Sequence, residues 1–248
     1  MQRRALLAIP LPLLACPQRS QATVRLAAPF DPQAIRAGFR APPRGLRGRG
    51  CPPVPAAGRS LALDGFYTEL RGSIPDPARY AASQAGARPL YEWLRTIQAG
   101  TEEWLRGGPS DSAACALDAM DAWARGGALL GDLNRQAGYQ RNWTLAGAAP
   151  AFLAMRDAPG LDPAALVRVM VWFAAAGQAA RASFDRTAPN PFVNALVNNH
   201  ATWAGYAVAA AGIAAGGAGP PAPGGRRPGE NVGHGDPGRP PPPGTARR

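Results

Sequence analysis

Apolar residues in this chain recur at three- and four-residue intervals, and short polar breaks divide the recurrence into segments. Asp76-Pro77-Ala78 reads as a helix start, with Asp as cap and Pro in the first turn. Leu90, Trp93, Leu94 and Ile97 follow at helical spacing. Ser110 or Asp111 is expected to cap a second helix, with Ala114, Leu117, Met120, Ala124 and Leu129 along one side. A third is predicted from about Tyr139 to Met155. A fourth starts at Asp162-Pro163-Ala164 and carries Leu166, Val169, Met170, Trp172 and Phe173. A fifth runs from Trp203 to Ala215. Gly107-Gly108-Pro109 and Ala158-Pro159-Gly160 mark breaks. Val-rich alternation is nearly absent and Ala dominates, so strands are not expected. The chain reads as all-α, and long antiparallel helices on short loops imply a bundle, a solenoid or a toroid of helix pairs.

Outside this region the pattern changes. Residues 1–22 read as an export signal: Arg3-Arg4, an apolar run from Ala5 to Ala15, and a small-residue site at Ser20-Gln21-Ala22. The run is too short to span a bilayer. Leu13-Leu14-Ala15-Cys16 leaves a lipoprotein variant open, and the paired arginines leave a twin-arginine signal open. No later apolar run is expected to form a membrane helix. Residues 23–60 form a Pro- and Arg-rich arm predicted to be loop, residues 61–216 the helical domain, and residues 217–248 a Pro/Gly-rich tail that lacks core-forming residues.

The formal net charge of +11 suggests nucleic acid until it is located. Residues 1–50 hold nine Arg against one acid, whereas residues 51–216 hold thirteen Arg and thirteen Asp or Glu. A nucleic-acid surface belongs to the folded body, and here the body is neutral, so no nucleic-acid partner is expected. Lys is absent altogether, which points to a GC-rich coding sequence. The two histidines and the dispersed cysteines form no ligand cluster, so no metal site is expected. No phosphate loop and no nucleophile elbow occurs.

Two features carry candidate chemistry. In Asn198-Asn199-His200-Ala201-Thr202-Trp203-Ala204, two amides and an imidazole stand together in an Ala-rich setting. They suit a helix entry, either as a cap with an incidental ring or as a functional group. In an exported protein Cys16 would leave with the signal or carry lipid. Cys51 and Cys115 would then remain as an even count, which favours a disulfide; a buried free thiol at Cys115 is the alternative.

Several segments, taken in order, resemble the alginate lyase family. They are Cys51-Pro52-Pro53, Phe66-Tyr67-Thr68, Gly72-Ser73 and Asp76-Pro77, then Cys115-Ala116-Leu117, Ala122-Trp123-Ala124 and Gly127-Ala128-Leu129. Gln136, Tyr139, Arg141, Trp143-Thr144-Leu145 and Trp172-Phe173 follow, and then Asn198-Asn199-His200 with Trp203-Ala204. The resemblance covers roughly residues 51–216. It implies an α/α toroid of antiparallel helix pairs, incomplete at the C-terminus, in a periplasmic or secreted enzyme. That enzyme would cleave poly-mannuronate or a related uronate polymer by β-elimination, without a metal or other cofactor.

The chemistry fits those residue types. The C5 proton of a uronate becomes acidic only when the neighbouring carboxylate is neutralised, which amide, imidazole and guanidinium groups can do. A base then takes the proton and an acid protonates the departing O4. The resemblance places Asn199 and His200 at the catalytic centre. It places Gln136, Trp143 and Arg141 on the substrate, with Tyr67 and Arg71 in a lid. Gln136 and Trp143 are seven residues apart, two helical turns, and so can share a groove. The family also has an Arg and a Tyr well past the Asn-Asn-His motif, with the Tyr as principal acid/base. Here no tyrosine follows Tyr206, and the Pro/Gly tail has the composition of out-of-frame reading of a GC-rich gene. A frameshift or mis-called end is therefore expected, with impaired activity. A non-catalytic exported protein that binds acidic polysaccharide is the other function expected.

Overall fold

The computed structural model describes residues 28–39, 51–56, 58–69, 74–186 and 199–216, with backbone alone for 184–186. The expected signal segment 1–22 with Cys16, Arg71, Asn198 and the tail 217–248 lie outside the described residues. Six helices occur in the described part: α1 (Pro32–Gly38), α2 (Pro77–Leu105), α3 (Ser110–Gly126), α4 (Arg135–Met155), α5 (Pro163–Arg186) and α6 (Asn199–Ala214).

Three helices begin with Asp-Pro, for one physical reason. The proline has no N–H to leave unsatisfied, and the aspartate accepts from the next free amides. Asp76 accepts from Ala78 N and Arg79 N at 2.9 and 3.0 Å, and Asp162 from Ala164 N and Ala165 N at 2.9 and 3.2 Å. Asp31 does the same for α1, with Gln33 N at 2.9 Å and Ala34 N at 3.2 Å. The expectation of an unbroken loop over 23–60 is therefore corrected. The same start signal was present at Asp31-Pro32, but the helix is short and buries no residue, so no apolar periodicity accompanies it. Arg36 holds α1 to α2 by lying 3.6 Å over the Trp104 ring.

Other boundaries also moved. Pro109 is the N-cap residue of α3, with no side-chain cap, so neither Ser110 nor Asp111 has that role. α4 starts at Arg135, ahead of the expected Tyr139, because Asn134 caps it by accepting from Ala137 N at 3.0 Å. α6 includes Asn199 and His200, so the Asn-His pair lies within the helix and does not merely precede it.

The helices pack in two rows. α2, α4 and α6 are successive neighbours in one row, and α3 and α5 are neighbours in the other; α2–α3, α4–α5 and α5–α6 contacts join the rows. This is an arc of an α/α toroid. Its core holds a Trp93–Trp123 stack, 4.0 Å between ring centroids and 8° between planes, with Trp172 edge-on to Trp93 at 6.0 Å. Each indole N–H reaches a carbonyl: Trp93 Nε1 to Ala119 O, Trp123 Nε1 to Pro55 O, Trp172 Nε1 to Ala128 O. Buried indoles need such acceptors, so the stack also fixes the arm and the α3–α4 loop.

α5 bears on the expectation that no later run forms a membrane helix. Its segment Pro163–Ser183 is long and apolar enough, by length and composition alone, to cross a membrane. In the fold it packs on α3, α4 and α6 and buries Val169, Trp172, Phe173, Ala176 and Ala180. The same helix leaves Val167 and Val171 exposed.

The arm from Cys51 to Leu63 runs along the α3–α4 connection. Cys51 and Cys115 form a disulfide, with Cα atoms 5.1 Å apart across 64 residues of sequence. Leu61 N donates to Asp132 O at 3.0 Å, Gly131 N to Arg59 O at 2.8 Å, and Asn134 Nδ2 to Leu63 O at 2.9 Å. Leu129 sits in the left-handed region at φ 60°, which costs a β-carbon residue about 1 kcal/mol or more. Burial of its side chain and the bond from its N–H to Gly58 O offset that cost. The arm thus sets the point at which α4 begins.

Candidate active site

α4 is the helix around which the candidate site is built. It lies between α2, α5 and α6 and is buried on nearly every side, so its polar residues need partners or an opening. Arg135, Tyr139 and Trp143 follow one another at i, i+4, i+8, with Gln136 at i+1 on the adjoining side, and Gln136, Tyr139 and Trp143 are half-buried. The N-terminal turn of α6 lies against this face.

The centre is a ring cluster. His200 stacks on Tyr139, with ring centroids 3.9 Å apart and planes 16° apart. Trp143 is 6.3 Å from His200 and 6.5 Å from Tyr139, tilted to both. Arg135 Nε donates to Tyr139 Oη at 2.9 Å, and its guanidinium carbon lies 5.8 Å from that ring centroid. His200 Nδ1 is buried without a hydrogen-bond partner among the described residues. Burial, and second the positive charge of Arg135, hold the imidazole pKa below its ordinary value. Protonation would place a further N–H in a buried position beside a cation, which disfavours the charged form.

The residues expected at the site separate into groups. His200, Trp143 and Gln136 come to the α4–α6 face, and Asn199 is exposed as the first residue of α6. Tyr67 stands apart: it is 39% exposed, packs on Phe66 at 4.5 Å and pairs with Pro75 in an isolated antiparallel bridge. It makes no ring contact with the His200 cluster among the described residues. Arg141 is 3% exposed, and its Nη2 donates to Ala179 O and Ser183 Oγ, both at 2.8 Å. It clamps α4 to α5 from the side of α4 that faces α5.

Tyr139 and Arg135 were not assigned roles from the sequence. Their spacing of four was a visible signal for an intrahelical pair, but nothing local showed that His200 would be the third member. A second polar pair lies deeper on the same helix. Gln140, 2% exposed, donates from Nε2 to Tyr91 Oη of α2 at 2.9 Å. No group of three or more His, Cys, Asp or Glu able to hold a metal occurs among the described residues.

Chemically, the cluster offers an imidazole whose charged form is disfavoured, one exposed and one half-buried amide, an indole face and a fixed positive charge. That set can bind an anionic polyol and exchange a proton with it.

A family model described as alginate lyase matches residues 72–218, more than half of the chain. A polysaccharide lyase of Stenotrophomonas maltophilia is 32% identical over 168 residues, covering 66% of this chain and 48% of that protein. An alginate lyase of Azotobacter vinelandii is 28% identical over 176 residues, covering 66% and 45%. The chain thus spans about half the length of the curated relatives it matches. Among solved structures, alginate lyase A1-III from Sphingomonas species A1 superposes with a TM-score of 0.60 at 23% identity, covering 79% of this chain and 57% of that one, and shares its fold. A tyrosine-to-phenylalanine variant of that enzyme has been solved complexed with a tetrasaccharide. On the extent of the family match and the order of its motifs, this chain belongs to the alginate lyase family.

Proposed function

We propose that the chain acts as a polysaccharide lyase on an acidic uronate polymer, alginate or poly-mannuronate, by β-elimination. The observation that carries this reading is His200 of α6 stacked on Tyr139 of α4 beside Trp143. A carboxylate is favoured at the positive end of a helix, and Asn199 adds an exposed amide there. With the substrate carboxylate neutralised, the C5–H bond can break toward a base, and His200 stands on that side of the site. The electron pair forms the C4–C5 double bond, the C4–O4 bond breaks, and a proton donor caps O4. Trp143 supplies a face for a sugar ring, and Gln136 an amide for its hydroxyls. The crossing of Cys51 to Cys115 also supports our reading that the protein works in an oxidising compartment, periplasmic or secreted.

The test incubates the full chain with poly-mannuronate and with poly-guluronate and follows ultraviolet absorbance of the unsaturated product. Product formation that is lost in His200→Ala supports the lyase. The exposed amide of Asn199, the indole of Trp143 and the Arg135 cation also fit one other reading, in which the chain binds acidic polysaccharide without cleaving it. Retention on immobilised polymer with no product would establish that second reading and remove the first.

A further inference from the structure

A general base is ordinarily oriented by a hydrogen bond to its second heteroatom, as in triads and in metal-bound histidines. At His200, Nδ1 is buried with no partner among the described residues. What meets the imidazole is a ring from another helix, nearly parallel and 3.9 Å away. That ring is itself held at its far end, because Arg135, one turn earlier on α4, donates to the phenol oxygen at 2.9 Å. Trp143, one turn later, flanks the stacked pair, 6.5 Å from Tyr139 and 6.3 Å from His200.

We propose that Tyr139, tethered by Arg135, is the positioning residue of His200, and that the stacked phenol sets the plane of the imidazole. The proposal rests on the reading of His200 as a lyase residue, but its geometric part can be tested without turnover. The face-on stack places the imidazole carbon protons in the shielding cone of the phenol. With only His200 and His234 in the chain, proton NMR resolves both imidazoles, and His234→Gln assigns them.

The experiment compares wild-type protein, Tyr139→Phe, Tyr139→Leu and Arg135→Gln in the full chain. The expected result is an upfield His200 signal in the wild type, kept in Tyr139→Phe and lost in Tyr139→Leu, with Arg135→Gln in between. On poly-mannuronate, Tyr139→Leu is expected to lower kcat about tenfold or more, with KM within about twofold, and Tyr139→Phe to restore most of it. A His200 signal unmoved in Tyr139→Leu overturns the proposal, as does a lost stack with unchanged kcat. If Tyr139→Leu does not fold, Arg135→Gln decides: an unshifted His200 signal with unchanged kcat overturns it. If the wild type shows no turnover while the NMR signals behave as stated, the positioning geometry stands and the lyase reading is the part that fails.

Discussion

The imidazole of His200 lies face to face on the phenol of Tyr139, 3.9 Å between centroids and 16° between planes, although the two residues belong to different helices. Such a contact exists only if α4 and α6 are neighbours in one row of the toroid, and they are. It also buries the imidazole next to Arg135, and this governs how the site responds to pH.

His200 has a folded-state pKa below the unfolded value of about 6.5. The unfolded chain therefore binds this proton more readily. The stability contributed by the neutral form is full above about pH 6.5 and is lost as pH falls toward the folded value. Activity that needs a neutral imidazole should persist to lower pH than an unperturbed histidine allows. Arg135→Gln removes the smaller of the two causes and is expected to move the acid limb of kcat/KM upward in pH, with burial still holding it below the ordinary value. An acid limb that stays in place or moves downward counts against Arg135 as a cause.

The disulfide should matter for stability and not for the ring cluster. It closes a separation of 64 residues, for which loop entropy gives about 2–4 kcal/mol. The double substitution Cys51→Ser with Cys115→Ser is expected to lower the urea midpoint accordingly, with the His200 proton signals unmoved. Equal midpoints for oxidised and reduced protein would show that the arm holds without the bridge.

Arg141 and Trp143 should separate in kinetics. Arg141→Ala leaves the Ala179 carbonyl and the Ser183 hydroxyl without this buried donor and is expected to cost about 1–3 kcal/mol of stability, with KM little changed. Trp143→Ala removes a half-buried indole from the groove and is expected to weaken polymer retention about tenfold, or about 1.4 kcal/mol. A change in KM for Arg141→Ala larger than that for Trp143→Ala would return Arg141 to the substrate.

The indole stack should be the most sensitive point of the core. Trp93 and Trp123 are fully buried, in contact, and each bonded to a carbonyl. Trp93→Ala is expected to cost about 3–5 kcal/mol, read as a lowered midpoint in chemical denaturation. A loss under 1 kcal/mol would mean that neighbouring side chains collapse into the space.

Much of this was legible in the order of residues. Helical spacing of Leu90, Trp93 and Ile97, and of Val169, Trp172 and Phe173, identified the buried faces, because one face of a helix is defined by local geometry alone. The Asp-Pro starts of α2 and α5 were equally local, and the one at Asp31 failed to register only because its helix buries nothing. Residue types at the site, an imidazole with amides and an indole, were visible too. Their partners were not. Whether an arginine on α4 faces a groove or the neighbouring helix depends on rotation about the helix axis relative to α5, and that placed Arg141 in the interior. Where α4 begins depends on Asn134 meeting Leu63 of the arm. That His200 stacks on Tyr139 depends on two helices far apart in sequence becoming neighbours. Local sequence determined which elements form and which faces are apolar, because those follow from short-range periodicity. Only the tertiary packing decided which polar side chains meet, because each such meeting requires surfaces from separate elements to be buried together.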